Sequence, residues 1–214
     1  MIIARISPEG RSHEQVIAIG ASMISVKVNL KSQTIDALRR EHTNMRSVLM
    51  LVGRQLDLME SGVAVDHILL ANALYYMRKF PSLVHHPKED AIFERLADLD
   101  PSWKQEVEKL REQHQDIYRL EDWLIETTLD MPKPGTMASD RLIEFGREYL
   151  QVQRLHSETE ERVLFPKALE TFKGDDWATI AGRFAAIDDP LFGEHSGERY
   201  QLLHDYIMRE ASGQ

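Results

Sequence analysis

His85-His86-Pro87-Lys88-Glu89-Asp90 decides the fold, because His156-Ser157-Glu158-Thr159-Glu160-Glu161 repeats its spacing later in the chain. In each, a histidine stands four residues before a glutamate. An apolar pair follows, Ile92-Phe93 in the first and Leu164-Phe165 in the second. Residues four apart on a helix share one face, so each His and Glu can reach a common point. Working outward, each motif is preceded by a segment with a lone histidine. Leu38-Arg39-Arg40-Glu41-His42 precedes the first and Leu110-Arg111-Glu112-Gln113-His114 the second. The chain thus reads as two helix pairs, each with one His on its first helix and H-x-x-x-E on its second.

The apolar periodicity predicts those helices. From Thr34, Leu38, His42, Met45, Leu49, Val52, Leu56 and Met59 recur at steps of three and four, until Ser61-Gly62 ends the run. The second helix carries Ile68, Ala71, Leu74, His85, Glu89, Ile92 and Leu96. A kink or restart is expected near 81–87, since Pro81 and Pro87 each cost roughly 3 kcal/mol in a straight helix interior. Asp100-Pro101 reads as an N-cap with a first-turn proline. Val107, Leu110, His114, Ile117 and Leu124 line the third helix, and Met131-Pro132-Lys133-Pro134-Gly135 is a connector. The fourth runs from about Ser139 to Thr171 with Leu142, Phe145, Tyr149, Val152, His156, Glu160 and Val163 on one face.

The expectation is an all-α protein, an antiparallel up-down-up-down four-helix bundle over residues 34–174. Residues 1–33 read as an N-terminal tail with one short strand around Ile24-Ser25-Val26-Lys27-Val28. Residues 175–214 read as a helical extension packed on the bundle. There Asp175 caps a helix through Ile187, Asp188-Asp189-Pro190 breaks it, and a last amphipathic helix reaches Met208.

Composition narrows the chemistry. Cysteine is absent, which excludes disulfides, thiolate metal sites and cysteine nucleophiles. Any metal must be held by nitrogen and oxygen. A formal net charge of −9 with no basic stripe argues against nucleic acid and against an anionic membrane surface. No run suits a membrane span or a signal peptide, so a cytoplasmic location is expected.

His42, His85, Glu89, His114, His156 and Glu160 all fall on apolar faces. A carboxylate buried there without a partner is costly, and metal coordination resolves the cost. Four imidazoles and two bridging carboxylates would satisfy two metals. His86 and Asp90 form an overlapping pair, rotated about 100° from His85 and Glu89, and are read as supporting or surface residues. Tyr118, one turn beyond His114, is read as a core tyrosine, and Trp103, Trp123 and Trp177 as core packing. His67, His195 and His204 lie outside the repeat and are read as exposed or capping residues.

These motifs resemble the hemerythrin-like family, the HHE cation-binding domain, over about residues 35–172. The resemblance rests on Glu41-His42, His85 through Asp90, His114, and His156 through Glu161 with Leu164-Phe165-Pro166. It implies a non-haem di-iron centre with His42, His85, His114 and His156 as terminal ligands and Glu89 and Glu160 as bridges. Manganese or zinc are alternatives for the donor set. Oxygen-carrying members have two histidines one turn apart on the third helix, whereas Leu110 and Tyr118 flank His114 here. The chain therefore resembles the four-His branch, which includes bacterial proteins that repair iron centres after nitrosative or oxidative stress. Those often carry a cysteine-containing N-terminal segment that this sequence lacks. The function implied is binding or reduction of oxygen, nitric oxide or peroxide in stress response or sensing, with an electron donor or protein partner. Two alternatives stand beside it: donation or storage of iron for damaged centres, and a metal-stabilised partner-binding module.

Overall fold

The computed structural model describes residues 13–131, 140–184, 187–193 and 200–212, with residues 13–29 and 211–212 described as backbone only. Every regular element among them is helical. The first rod is α1 (His13–Glu60). It ends where Gly62 takes a φ of 69° and the Val63 and Gly62 amides bond back to Leu58 and Met59, a turn that a left-handed residue allows. α2 (His67–Phe80) starts at Asp66, whose carboxylate accepts from the Ile68 and Leu69 amides. A wide π turn, Pro81–His85, joins α2 to α3 (His86–Leu99), and together they form the second rod. Asp100 then caps a 3-10 turn, Pro101–Trp103, that leads into α4 (Lys104–Leu129), the third rod. The fourth combines α5 (Asp140–Thr159), a second π turn, Glu160–Leu164, and α6 (Phe165–Thr171).

Both π turns have one cause. Each ends two residues before a proline, Pro87 or Pro166, which has no N–H to give the helix. The residue before each proline donates five residues back instead, His86 to the Pro81 carbonyl and Phe165 to the Glu160 carbonyl. The break expected at 81–87 is therefore a widened turn within a continuous rod.

α1 packs against α2 and α5, while α4 packs against α2, α3 and α5, closing a four-rod ring. Two apolar clusters show its direction. One holds Met45 to Met59, Leu70 to Val84, Ile117, Leu124, Leu142 and Tyr149; the other holds Ile35, Leu38, Ile92 to Ala97, Val107, Leu110 and Leu164 to Ala168. Successive rods meet these clusters in opposite order along the chain, so the bundle runs up-down-up-down. Burying each large side chain contributes about 1.5–3 kcal/mol. Between the two clusters lies one polar layer, made of His42, His85, His86, Glu89, His114, His156 and Glu160.

Three boundaries differ from the sequence expectations. The first helix begins at His13 and not at Thr34, so the short strand expected at 24–28 is helical. Residues 13–33 contain no proline, and β-branched residues cost only tenths of a kcal/mol each when they extend a helix already nucleated. α7 (Gly174–Ala181) stops well before Ile187, and it starts with Asp176 accepting from the Lys173 amide rather than at an Asp175 cap. α8 (Gln201–Ser212) continues past Met208. α7 lies on α1 and α3, where Trp177 is buried in the second cluster. α8 lies on α1 and α2. Residues 132–135 of the expected connector, and His195, lie outside the described residues.

Candidate metal centre

The polar layer exists because the two H-x-x-x-E segments face inward on opposite rods. Glu89 and Glu160 are completely buried. His85 Nε2 lies 3.0 Å from Glu89 Oε1, and His156 Nε2 lies 3.2 Å from Glu160 Oε1, each pair within one helical turn. The lone histidines of the other rods close the layer. His42 Nε2 stands 3.3 Å from Glu89 and 3.4 Å from Glu160, and His114 Nε2 stands 3.9 Å from both. All six predicted residues thus meet, with four Nε2 atoms directed at two carboxylates.

The outward ring nitrogens are held as well. His85 Nδ1 donates to Glu41 at 2.8 Å, His42 Nδ1 to Glu161 at 2.9 Å, and His156 Nδ1 to the Gln113 side-chain oxygen at 3.0 Å. His114 Nδ1 faces Asp90 at 3.5 Å. These three hydrogen bonds and the His114–Asp90 contact form a closed ring. The first rod supplies the acceptor for the second, the second for the third, the third for the fourth, and the fourth for the first.

The ring follows from helix geometry. Each acceptor is a chain neighbour of an inward-facing residue, before it on the first and third rods and after it on the second and fourth. One residue is about 100° of turn. A step back on an ascending helix and a step forward on a descending one rotate in the same sense about the bundle. An acceptor on Nδ1 fixes the tautomer and leaves Nε2 free for a metal.

Electrostatics describe a layer that needs cations. Burial alone would push Glu89 up, but the facing His85 and His42 hold it well below the usual carboxylate range. Glu160 is likewise pushed up by burial and by Glu89, yet it is held low by His156, His114 and His42. In return, against the penalty of burial, Glu160 and Glu89 raise His42 to about 11, while Asp90 and Glu160 raise His114 to about 9. Without a metal, imidazolium protons balance the two buried carboxylates.

That balance is incomplete in hydrogen bonds. Nε2 of His85, His114 and His156 and both oxygens of Glu89 and Glu160 are buried with no hydrogen-bond partner. Orphans of this kind are rare in a folded core. Their types, imidazole nitrogen and carboxylate oxygen, are those of a nitrogen–oxygen metal site. Two overlapping sets have ligand atoms mutually within 4.8 Å: His42, His85 and Glu89, and His86, Glu89, His114 and His156.

For His86 the sequence left a supporting and a surface position open. It is buried; its ring stacks on His114 with centroids 3.9 Å apart, and its Nδ1 lies 2.6 Å from the Tyr118 hydroxyl. The ring acceptors Glu41, Gln113 and Glu161 were visible only as neighbours of motif residues. Their signal was adjacency to an inward-facing motif residue, which has meaning only once the facing rod is known. His67 and His204 stand apart from the layer; Trp103 and Trp123 are half-buried against the clusters.

No helix among the described residues is long and apolar enough to cross a membrane. The family model described as the hemerythrin HHE cation binding domain matches residues 33–168, a span that contains the whole polar layer. No curated protein and no solved structure matches the chain.

Proposed function

The chain belongs to the hemerythrin HHE cation-binding family, and from that premise we propose that His42, His85, Glu89, His114, His156 and Glu160 hold two iron ions that bind or reduce oxygen, nitric oxide or peroxide, in stress response or sensing. The observation that carries this reading is the set of buried, unpartnered nitrogen and oxygen atoms converging from four rods. Glu89 belongs to both sets of close ligand atoms, as a bridging carboxylate would. Two irons there would supply electrons and an open coordination position; reduction also needs an external electron donor.

The protein's own residues shape what can arrive. Beside the layer lies a cavity of about 20 Å³ lined by His42, His85, His86, His156, Met45 and Gln153, among others. That is room for one water-sized molecule, which favours a diatomic or peroxide over a metabolite. The apolar clusters on either side keep bulk water away and strengthen electrostatic contacts within the layer. Ligand burial also favours a retained centre over one that hands its iron to acceptors.

The test is elemental analysis of full-length protein purified without oxygen, followed by its absorption spectrum during exposure to air or nitric oxide. About two irons per chain and new near-ultraviolet bands are expected. Protein that takes up no iron on ferrous reconstitution, or iron-loaded protein with no optical response to either gas, would overturn the reading.

A further inference from the structure

The two ligand sets are unequal. On the first and second rods, His42 and His85 share Glu89; toward the third and fourth, His86 stands with His114, His156 and Glu89. We infer that His86 is a fifth imidazole ligand, completing a three-histidine subsite with His114 and His156 opposite a two-histidine subsite of His42 and His85. The inference rests on the di-iron reading above and extends it to a residue outside the paired His–Glu repeat.

Helix geometry explains how consecutive histidines serve different subsites. Asp90 follows Glu89 and points to the third rod, where it meets His114. His86 follows His85 by the same single step, so it points the same way and reaches His114 and Tyr118. The third rod offers only Leu110 and Tyr118 one turn from His114. The second rod therefore supplies the imidazole from across the interface.

Tyr118 completes the arrangement. Its hydroxyl occupies His86 Nδ1 at 2.6 Å, leaving Nε2 as the nitrogen without that partner. With Nδ1–H donating to the tyrosine oxygen, Nε2 carries a lone pair and can coordinate. Tyr118 is thus a positioning residue for His86, as the ring acceptors are for the other four. The small cavity beside the layer is lined by histidines of both subsites, His42 and His85 of one and His86 and His156 of the other.

The experiment loads full-length wild type, His86→Gln and Tyr118→Phe with ferrous iron under anaerobic conditions. Iron per chain, affinity against a competing chelator and Mössbauer spectra are measured on each, with circular dichroism of the metal-free forms. Wild type should bind two irons with two unequal quadrupole doublets. His86→Gln should keep its helicity and one iron, with the second bound at least about ten-fold more weakly. Tyr118→Phe should keep both irons, with a smaller loss confined to the same doublet. Two irons in His86→Gln with wild-type affinity and spectrum would overturn the inference while leaving the di-iron reading intact. Should His86→Gln fail to fold, an unaltered spectrum and affinity in Tyr118→Phe would overturn it instead. Wild type without iron would overturn both.

Discussion

Glu41 accepts the Nδ1 proton of His85 at 2.8 Å, although the two residues lie on different rods and Glu41's own chain neighbour is the inward-facing His42. Lys88 holds the other Glu41 oxygen. One carboxylate therefore orients the second rod's histidine from a position set by the first rod's. Glu41→Ala should leave the metal-free fold intact and weaken metal binding about 10–100-fold, the usual cost of losing such a partner. Glu41→Gln should lose less, because the amide oxygen still accepts. Chelator competition on the three proteins checks this; equal affinities would show that His85 needs no outside support.

Metal loading should release protons. At neutral pH the metal-free layer carries protons on His42, raised to about 11, and on His114, raised to about 9, after burial is overcome by the facing carboxylates. Coordination needs both Nε2 atoms deprotonated. Apparent affinity should therefore climb between pH 6 and 9 by roughly ten-fold per pH unit for each proton displaced. Calorimetric titration in two buffers of different ionisation enthalpy measures the count directly. Heats independent of the buffer would contradict it.

The polar layer was legible in the sequence because its residues repeat at helical spacing, and spacing survives folding. His42, His85, Glu89, His114, His156 and Glu160 needed only the rule that four residues make one face. The ring of Glu41, Asp90, Gln113 and Glu161 was not legible, since each contacts a different rod and that choice depends on tertiary packing. His86 was left between a supporting and a surface position for the same reason. A residue 100° from the inward face points away on an isolated helix, yet within a bundle it points at the next helix. Pro81 and Pro87 announced a break but not its form, because the π turn depends on where the freed carbonyl finds a donor.

Glu121 should make stability fall as pH rises. It is fully buried among Tyr149 and Gln153, which both donate to one of its oxygens, while the other has no partner. Burial pushes its carboxyl up to about 8 despite those bonds. Its folded pKa thus lies above the unfolded value near 4.3. Below about pH 4 both states are protonated and the group is neutral in effect. Between about 4 and 8 the unfolded chain loses a proton that the folded chain keeps. Stability therefore drops with rising pH across that window, by up to about 1.4 kcal/mol per pH unit. Glu121→Gln mimics the protonated acid and should flatten this part of the curve. Denaturant midpoints of metal-free protein at pH 5 and 8 test it; an unchanged slope in the variant would show that Glu121 ionises freely.

Gly146 on α5 packs directly against Leu56 of α1. A Cβ built there would stand 2.8 Å from both terminal methyl carbons of Leu56 and 3.4 Å from its Cγ. Leu56 is itself buried in the first cluster, so those methyls have little room to retreat. Two effects oppose each other in Gly146→Ala. Helix propensity favours alanine by about 1 kcal/mol. Overpacking a filled core costs about 1–3 kcal/mol. The net expectation is a loss of up to about 2 kcal/mol in the wild-type background. Leu56→Ala alone should cost about 2–5 kcal/mol by opening a cavity. In that background the new methyl meets space in place of carbon, so Gly146→Ala should turn stabilising by about 1 kcal/mol. The sign reversal is the diagnostic, because residues in contact couple and distant ones add. Four denaturation curves of the metal-free proteins complete the cycle. An equal effect of Gly146→Ala in both backgrounds would mean that α5 shifts to accept the methyl, and that the spacing of the rods is not set at this contact.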